Sequence, residues 1–216
     1  MIEYNSTGNG ISAFTLKSLA IFAMVLDHGA AVLLSPDNSY YLIFRLVGRM
    51  AFPIFCFLIA EGSYHTKNLT RYAFRLGIFA LVSEIPFDLA FYRSYSFPYH
   101  QNVFFTLLIG LGVIAIHKRL AVYNKKLLSI IPLFIGMYLA YLMKTDYGAQ
   151  GVLLIYIFYI ARNMTNFKIP IYIMGILMLS LNRYTLINSL QVFAVISIVP
   201  ISMYGGTKGK YLNKYA

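Results

Sequence analysis

LKSLAIFAMVLDHGAAVLL, residues 16–34, decides how the rest of the chain is read. At about 1.5 Å per residue this run approaches the roughly 30 Å hydrocarbon core of a bilayer as a single helix. Yet it carries Asp27 and His28 side by side. It does not read as a cleavable signal, because it is long, is interrupted by that pair, and is followed by LLSPDNS with no small-residue cleavage pattern. It is expected to stay as the first membrane span. Composition supports the bilayer: of 216 residues 59% are hydrophobic and only 12% charged, with 19 Tyr and 17 Phe. The mean hydropathy of +0.68 lies well on the apolar side of soluble usage.

Further apolar stretches follow almost end to end, at about 41–61, 71–91, 103–117, 127–143, 149–161, 168–182 and 188–204. The expected fold is therefore all-α: a polytopic membrane helix bundle of about eight spans, with residues 1–216 forming one transmembrane domain. The net charge of +11 does not imply a nucleic-acid partner, since the basic residues alternate with the spans. With a cytoplasmic N-terminus the inner side holds Lys67, Arg71, Lys118, Arg119, Lys125, Lys126, Arg162, Lys168, Lys208, Lys210 and Lys214, and the outer side only Arg93, Lys144 and Arg183. This asymmetry predicts both termini in the cytoplasm of a multi-pass plasma or inner membrane protein, and an even number of spans. Cys56 is the single cysteine, so disulfides within the chain and cysteine-based metal sites are excluded.

Depth along the helices brings the polar residues together. Asp27 and His28 lie roughly 16 to 18 Å from the inner end of the first span, near the midplane. Arg45 and Arg49 lie about 6 and 12 Å below the outer end of the second, so Arg49 shares their layer. Glu84 and Asp88 lie about 20 and 26 Å from the inner end of the third. Each pair is four residues apart and occupies one helical face. Antiparallel neighbours with this spacing predict Arg49 meeting Glu84 and Arg45 meeting Asp88. Ionisable groups at such depth are costly and face partners or a pathway. Consecutive helical residues point about 100° apart, so Asp27 and His28 each need a partner from another helix. Pro53 and Pro86 remove amide donors in the second and third spans, and both helices are expected to kink beside the cluster. At the inner end, EGSYHTKNLTRYAFR groups Glu61, His65, Lys67, Arg71 and Arg75 into an electropositive mouth suited to a polyanion. Lys118, Arg119, Lys125 and Lys126 read as topology determinants.

No Walker A, HExxH or GxSxG pattern is present, which argues against an ATPase, a zincin and an ordinary serine hydrolase. No internal repeat is evident either, which weakens a secondary-transporter reading. LKSLAIFAMVLDHGA, FRLVGRMAFPIFCFLIAEGSYHT, RYAFRLGIFALVSEIPFDLAF and QNVFFTLLIGLG together resemble the successive blocks of the TraX family, whose named activity is N-acetylation of conjugative pilin. The match is closest over roughly residues 15 to 115. More distantly the chain is similar to the membrane acyltransferases of sugars and glycans, in which a first-span histidine is the expected base.

The resemblance implies acetyl transfer from acetyl-CoA as co-substrate, with no metal, to a peptide (pilin-like N-terminus) or glycan acceptor. It puts His28 in the position of the base. Asp27 and Arg49 are the expected catalytic companions, Arg71, Arg75 and Lys67 the coenzyme-binding cations, and Arg45, Glu61, Glu84, Asp88 and Asn102 the surrounding polar cluster. The alternatives are a proton- or ion-coupled transporter using Asp27, His28, Glu84 and Asp88 as a relay, and an assembly or scaffold role.

Overall fold

The computed structural model describes residues 10–122, 128–181 and 190–209. Within them every regular element is helical, apart from two isolated backbone bridges. The order is α1 (Ala13–Leu33), α2 (Ser39–Gly48), α3 (Ala51–His65), α4 (Leu69–Tyr92), α5 (Val103–Val122), α6 (Ile131–Leu142), α7 (Gly148–Ala161) and α8 (Lys168–Leu177). A 3-10 helix (Leu190–Ser197) and a short α-turn (Ile198–Ser202) follow. Helices thus occupy all eight apolar stretches. Three segments, Ala13–Leu33, Ser39–His65 and Val103–Val122, are long and apolar enough to cross a membrane. α4 has the length, 24 residues, but carries Arg71, Arg75, Glu84 and Asp88. α6 and α7, with 12 and 14 residues, fall short of a full crossing at about 1.5 Å per residue. Lys125, Lys126, Arg183, Lys210 and Lys214 lie outside the described residues.

The two prolines act differently. Before Pro53 the second span is broken: α2 ends at Gly48, Arg49 and Met50 form a turn, and α3 restarts at Ala51. A proline placed there cannot donate to the Arg49 carbonyl, and it fits the first turn of a new helix where no donor is needed. α4 instead continues through Pro86 to Tyr92 and stops at Arg93, which adopts a left-handed φ of 53° and returns its amide to the Asp88 carbonyl. The second span is therefore interrupted for two residues, Arg49 and Met50, within the segment Ser39–His65, whereas the third span stays one helix.

The chain divides into two compact units, one of Met1–Leu58 with Tyr172–Ala216, the other of Ile59–Ile171. In the first, Ser12 caps α1 by accepting the Thr15 amide at 3.2 Å, and Asn38 caps α2 by accepting the Tyr40 amide at 2.9 Å. The buried stripe of α1 is Leu16, Ala20, Ala23, Asp27 and Ala30, at three- and four-residue intervals. Its small residues let α2 pack closely, as at helix contacts in lipid. The opposite face leaves Phe22 61%, Val25 59% and Leu33 80% exposed, which suits a lipid solvent and not water. Residues near the two ends of the described chain are stitched side by side. Ile11 donates to the Met203 carbonyl at 2.9 Å, Gly205 to the Ile11 carbonyl at 3.0 Å, and Ala13 to the Thr207 carbonyl at 2.8 Å. Gly10 and Gly205 permit this contact, because a Cβ on either would strike the other's backbone.

In the second unit α5 packs against α4, α6 and α7. Gly110 and Gly136 make room for Ile155 and Val113 respectively, and a Cβ on either glycine would overlap those side chains. Thr106 and Thr145 join by hydroxyls at 2.8 Å beside a backbone bridge between Gln101 and Thr145.

Candidate functional site

The polar residue in the α1 stripe is met by α2. Asp27 is only 8% exposed. Arg49 reaches both its oxygens, Nη2 lying 2.7 Å from Oδ1 and 2.6 Å from Oδ2. Arg45 Nη1 lies 2.9 Å from Oδ1. The break after Gly48 leaves Arg49 at the end of α2, where its Nε donates back to the Arg45 carbonyl at 3.2 Å. Gly48 lies directly against Asp27, since a Cβ there would overlap the carboxylate side chain. From the 3-10 helix, Gln191 is buried and presents Oε1 to Arg49 Nη1 at 3.3 Å. Two guanidiniums against one carboxylate leave one net positive charge in an apolar setting. His28 follows on α1, half-buried and about 100° around from the Asp27 stripe.

Both arginines thus have a different partner from the one their spacing suggested. Depth had correctly placed Arg49 level with Asp27. The short connection between α1 and α2 then makes Asp27 the nearest carboxylate, and it takes both guanidiniums. Glu84 and Asp88 are served within their own unit. Glu84 Oε2 accepts from the Asn102 amide nitrogen at 3.1 Å and from its side chain at 2.5 Å, while Asn102 also donates to the Ala80 carbonyl at 2.8 Å. Asp88, buried, accepts the Phe97 amide at 2.7 Å and so fixes the turn after α4.

At the other end of that unit Glu61 binds Arg162 Nε at 2.7 Å and faces His65 Nε2 at 3.4 Å. The Arg162 guanidinium lies 4.2 Å from the centre of the Tyr64 ring. Lys118 donates to the Ser63 carbonyl at 2.5 Å and sits 4.6 Å over the same ring. These cations close the C-terminal turn of α3, where the helix dipole favours positive charge. Lys118 and Arg162 are therefore packed structural groups as well as charges. Lys67, Arg71 and Arg75 are exposed. The last two lie one turn apart on α4, whose start is fixed by Asn68 accepting the Arg71 amide at 2.8 Å. Among the described residues no three His, Cys, Asp or Glu side chains are placed to share a metal ion.

Comparison with known proteins locates this arrangement in a family. The family model described as TraX protein matches residues 12–215. The chain belongs to the TraX family. It is also 32% identical, over 186 residues covering 78% of this chain and 71% of the relative, to a probable fimbrial assembly protein FimC, serogroup H1, of Dichelobacter nodosus. No solved structure matches it. The matched range spans positions 27 and 28 and extends through the second half of the chain, beyond the blocks that carried the resemblance.

One residue in contact with the Asp27–Arg49 pair was not singled out by the sequence. Gln191 is an amide inside the apolar run LQVFAVIS, the same kind of anomaly that singled out Asp27. Its three-residue periodicity hid the rest: Gln191, Ala194 and Ser197 share one buried face only because this segment is a 3-10 helix.

Proposed function

We propose that this protein is a membrane acetyltransferase. It moves the acetyl group of acetyl-CoA to an amine or hydroxyl of a pilin-like peptide or a glycan, in the plasma or inner membrane. The observation that carries the reading is the clamp on Asp27. An apolar helix holds a carboxylate fixed between two arginines, with a histidine next to it, and one positive charge is left over. TraX membership and the fimbrial assembly relative support an acceptor connected with pili. The stitching of Ile11 to Met203 and Gly205 supports ends on one side, hence an even number of crossings, and the charge asymmetry supports the cytoplasmic side.

In the reaction a neutral His28 takes the proton of the acceptor as its nitrogen or oxygen attacks the thioester carbonyl. The carbonyl oxygen gains the negative charge, which Arg45 and Arg49 stabilise. Collapse breaks the carbon–sulfur bond, and the leaving thiolate takes the proton from His28. Asp27 holds the two guanidiniums in place. Lys67, Arg71 and Arg75, exposed, attract the coenzyme's phosphates. The test is to supply isotope-labelled acetyl-CoA to membranes with and without the protein and identify the labelled product. A labelled pilin-like peptide or glycan that depends on the protein is expected; coupled ion flux without any acetylated product would refute transfer.

A further inference from the structure

Resting on that reading of α1 and α2, we propose that Gln191 is a catalytic residue whose side-chain amide binds the oxygen of the reacting thioester carbonyl. A guanidinium only donates, so the contact of Arg49 Nη1 at 3.3 Å fixes Gln191 with Oε1 toward the arginine and Nε2 away from it. That Nε2 is buried and has no hydrogen-bond partner among the described residues; neither does Arg45 Nε. Gln191 itself is 4% exposed. Buried donors are almost always satisfied. Here two donors of one cluster lack an acceptor, while both oxygens of Asp27 are already taken by the arginines.

The missing group is an acceptor oxygen, and the net positive charge of the clamp favours one that gains negative charge. The carbonyl oxygen of an acyl thioester does so as the nucleophile bonds to its carbon, and returns the charge as the carbon–sulfur bond breaks. Local geometry supports the placement. Three residues per turn put Gln191, Ala194 and Ser197 on one buried face of the 3-10 helix. The alanine keeps that face low beside the amide, and the Ser197 hydroxyl further along also lacks a partner among the described residues. If Gln191 served only to anchor Arg49, its oxygen alone would suffice.

The decisive variant is Gln191→Glu, which keeps an oxygen on Arg49 and removes the donor, compared with wild type and Gln191→Met in lipid nanodiscs. The donor role predicts that Gln191→Glu melts no lower than wild type and loses about a hundredfold in kcat, with KM for acetyl-CoA within about twofold. Transfer by wild type with less than about a tenfold loss in Gln191→Glu overturns this inference alone. Absence of wild-type transfer overturns the acetyltransferase reading and the inference with it. A second measurement on wild type needs no variant to fold. The trifluoroacetonyl thioether of CoA, whose hydrated ketone imitates the charged tetrahedral carbon, should bind at least about tenfold tighter than CoA. Equal binding of the two overturns the proposed oxygen site.

Discussion

Replacing Asp27 with asparagine keeps the volume between α1 and α2 and removes the charge that two guanidiniums share. Three contacts between 2.6 and 2.9 Å converge on that carboxylate. An asparagine oxygen retains one acceptor, and its amide meets donors with a donor. Removing one partner of a buried ion pair costs about 3 to 5 kcal/mol, chiefly by stranding the other charge. At about 2 to 4 °C per kcal/mol for a chain of this size, the melting temperature should fall by roughly 6 to 20 °C. Cys56 provides the assay: it is the single cysteine and fully buried, so a thiol-reactive fluorophore reports unfolding as the thiol becomes accessible. Arg49→Met should also destabilise, and combining it with Asp27→Asn should recover part of the loss, because the double variant strands less charge. Additivity of the two within about 0.5 kcal/mol would refute the clamp.

Gly48→Ala should cost about 1 to 3 kcal/mol, because its methyl group would overlap Asp27, while Gly112→Ala, with nothing within 4 Å of the added Cβ, should be neutral or stabilising; equal melting temperatures would refute the close contact. Arg71→Ala with Arg75→Ala should weaken CoA binding and flatten its salt dependence, leaving turnover at saturating acetyl-CoA nearly unchanged. A fall in saturated turnover with unaltered binding would move those arginines to another role. Reporter fusions near Ser96 and near Lys67 should report opposite sides, exterior and cytoplasm respectively. A cytoplasmic Ser96 would invert the charge-based orientation.

How much of this was legible depended on whether the cause was local. The helices followed from apolar runs, and a disturbance beside Arg49 from Pro53, whose missing amide acts four residues back; the two-residue interruption at Arg49 and Met50 is what the structure adds. Pro86 has the same chemistry, yet α4 continues through it, so the sequence rule indicated a site of weakness and not its outcome. Depth put Arg49 in the layer of Asp27 correctly. Partner choice failed because the four-residue spacing shared by Arg45, Arg49, Glu84 and Asp88 said nothing of Asp27, the carboxylate that both guanidiniums meet. What separates the alternatives is that α1 and α2 are joined by a short turn and that Gly48 brings the α2 backbone onto Asp27. Gln191 was further out of reach: it meets Arg49 across 142 residues of sequence, on a 3-10 helix whose face an α-helical reading would scatter. Lys118 reads from sequence only as a topology determinant, because nothing in its neighbourhood of sequence reveals that Ser63 and Tyr64 receive it.

The central claim, acetyl transfer with His28 as base, is tested most directly by the initial rate of acetyl transfer from acetyl-CoA by purified protein in nanodiscs, wild type against His28→Gln. Glutamine keeps a polar side chain of similar reach, and CoA-dependent thermal stabilisation of both proteins establishes that each is folded and binds the donor. The account predicts equal stabilisation by CoA and transfer at least about a hundredfold slower in His28→Gln. Near-normal transfer by His28→Gln would contradict it.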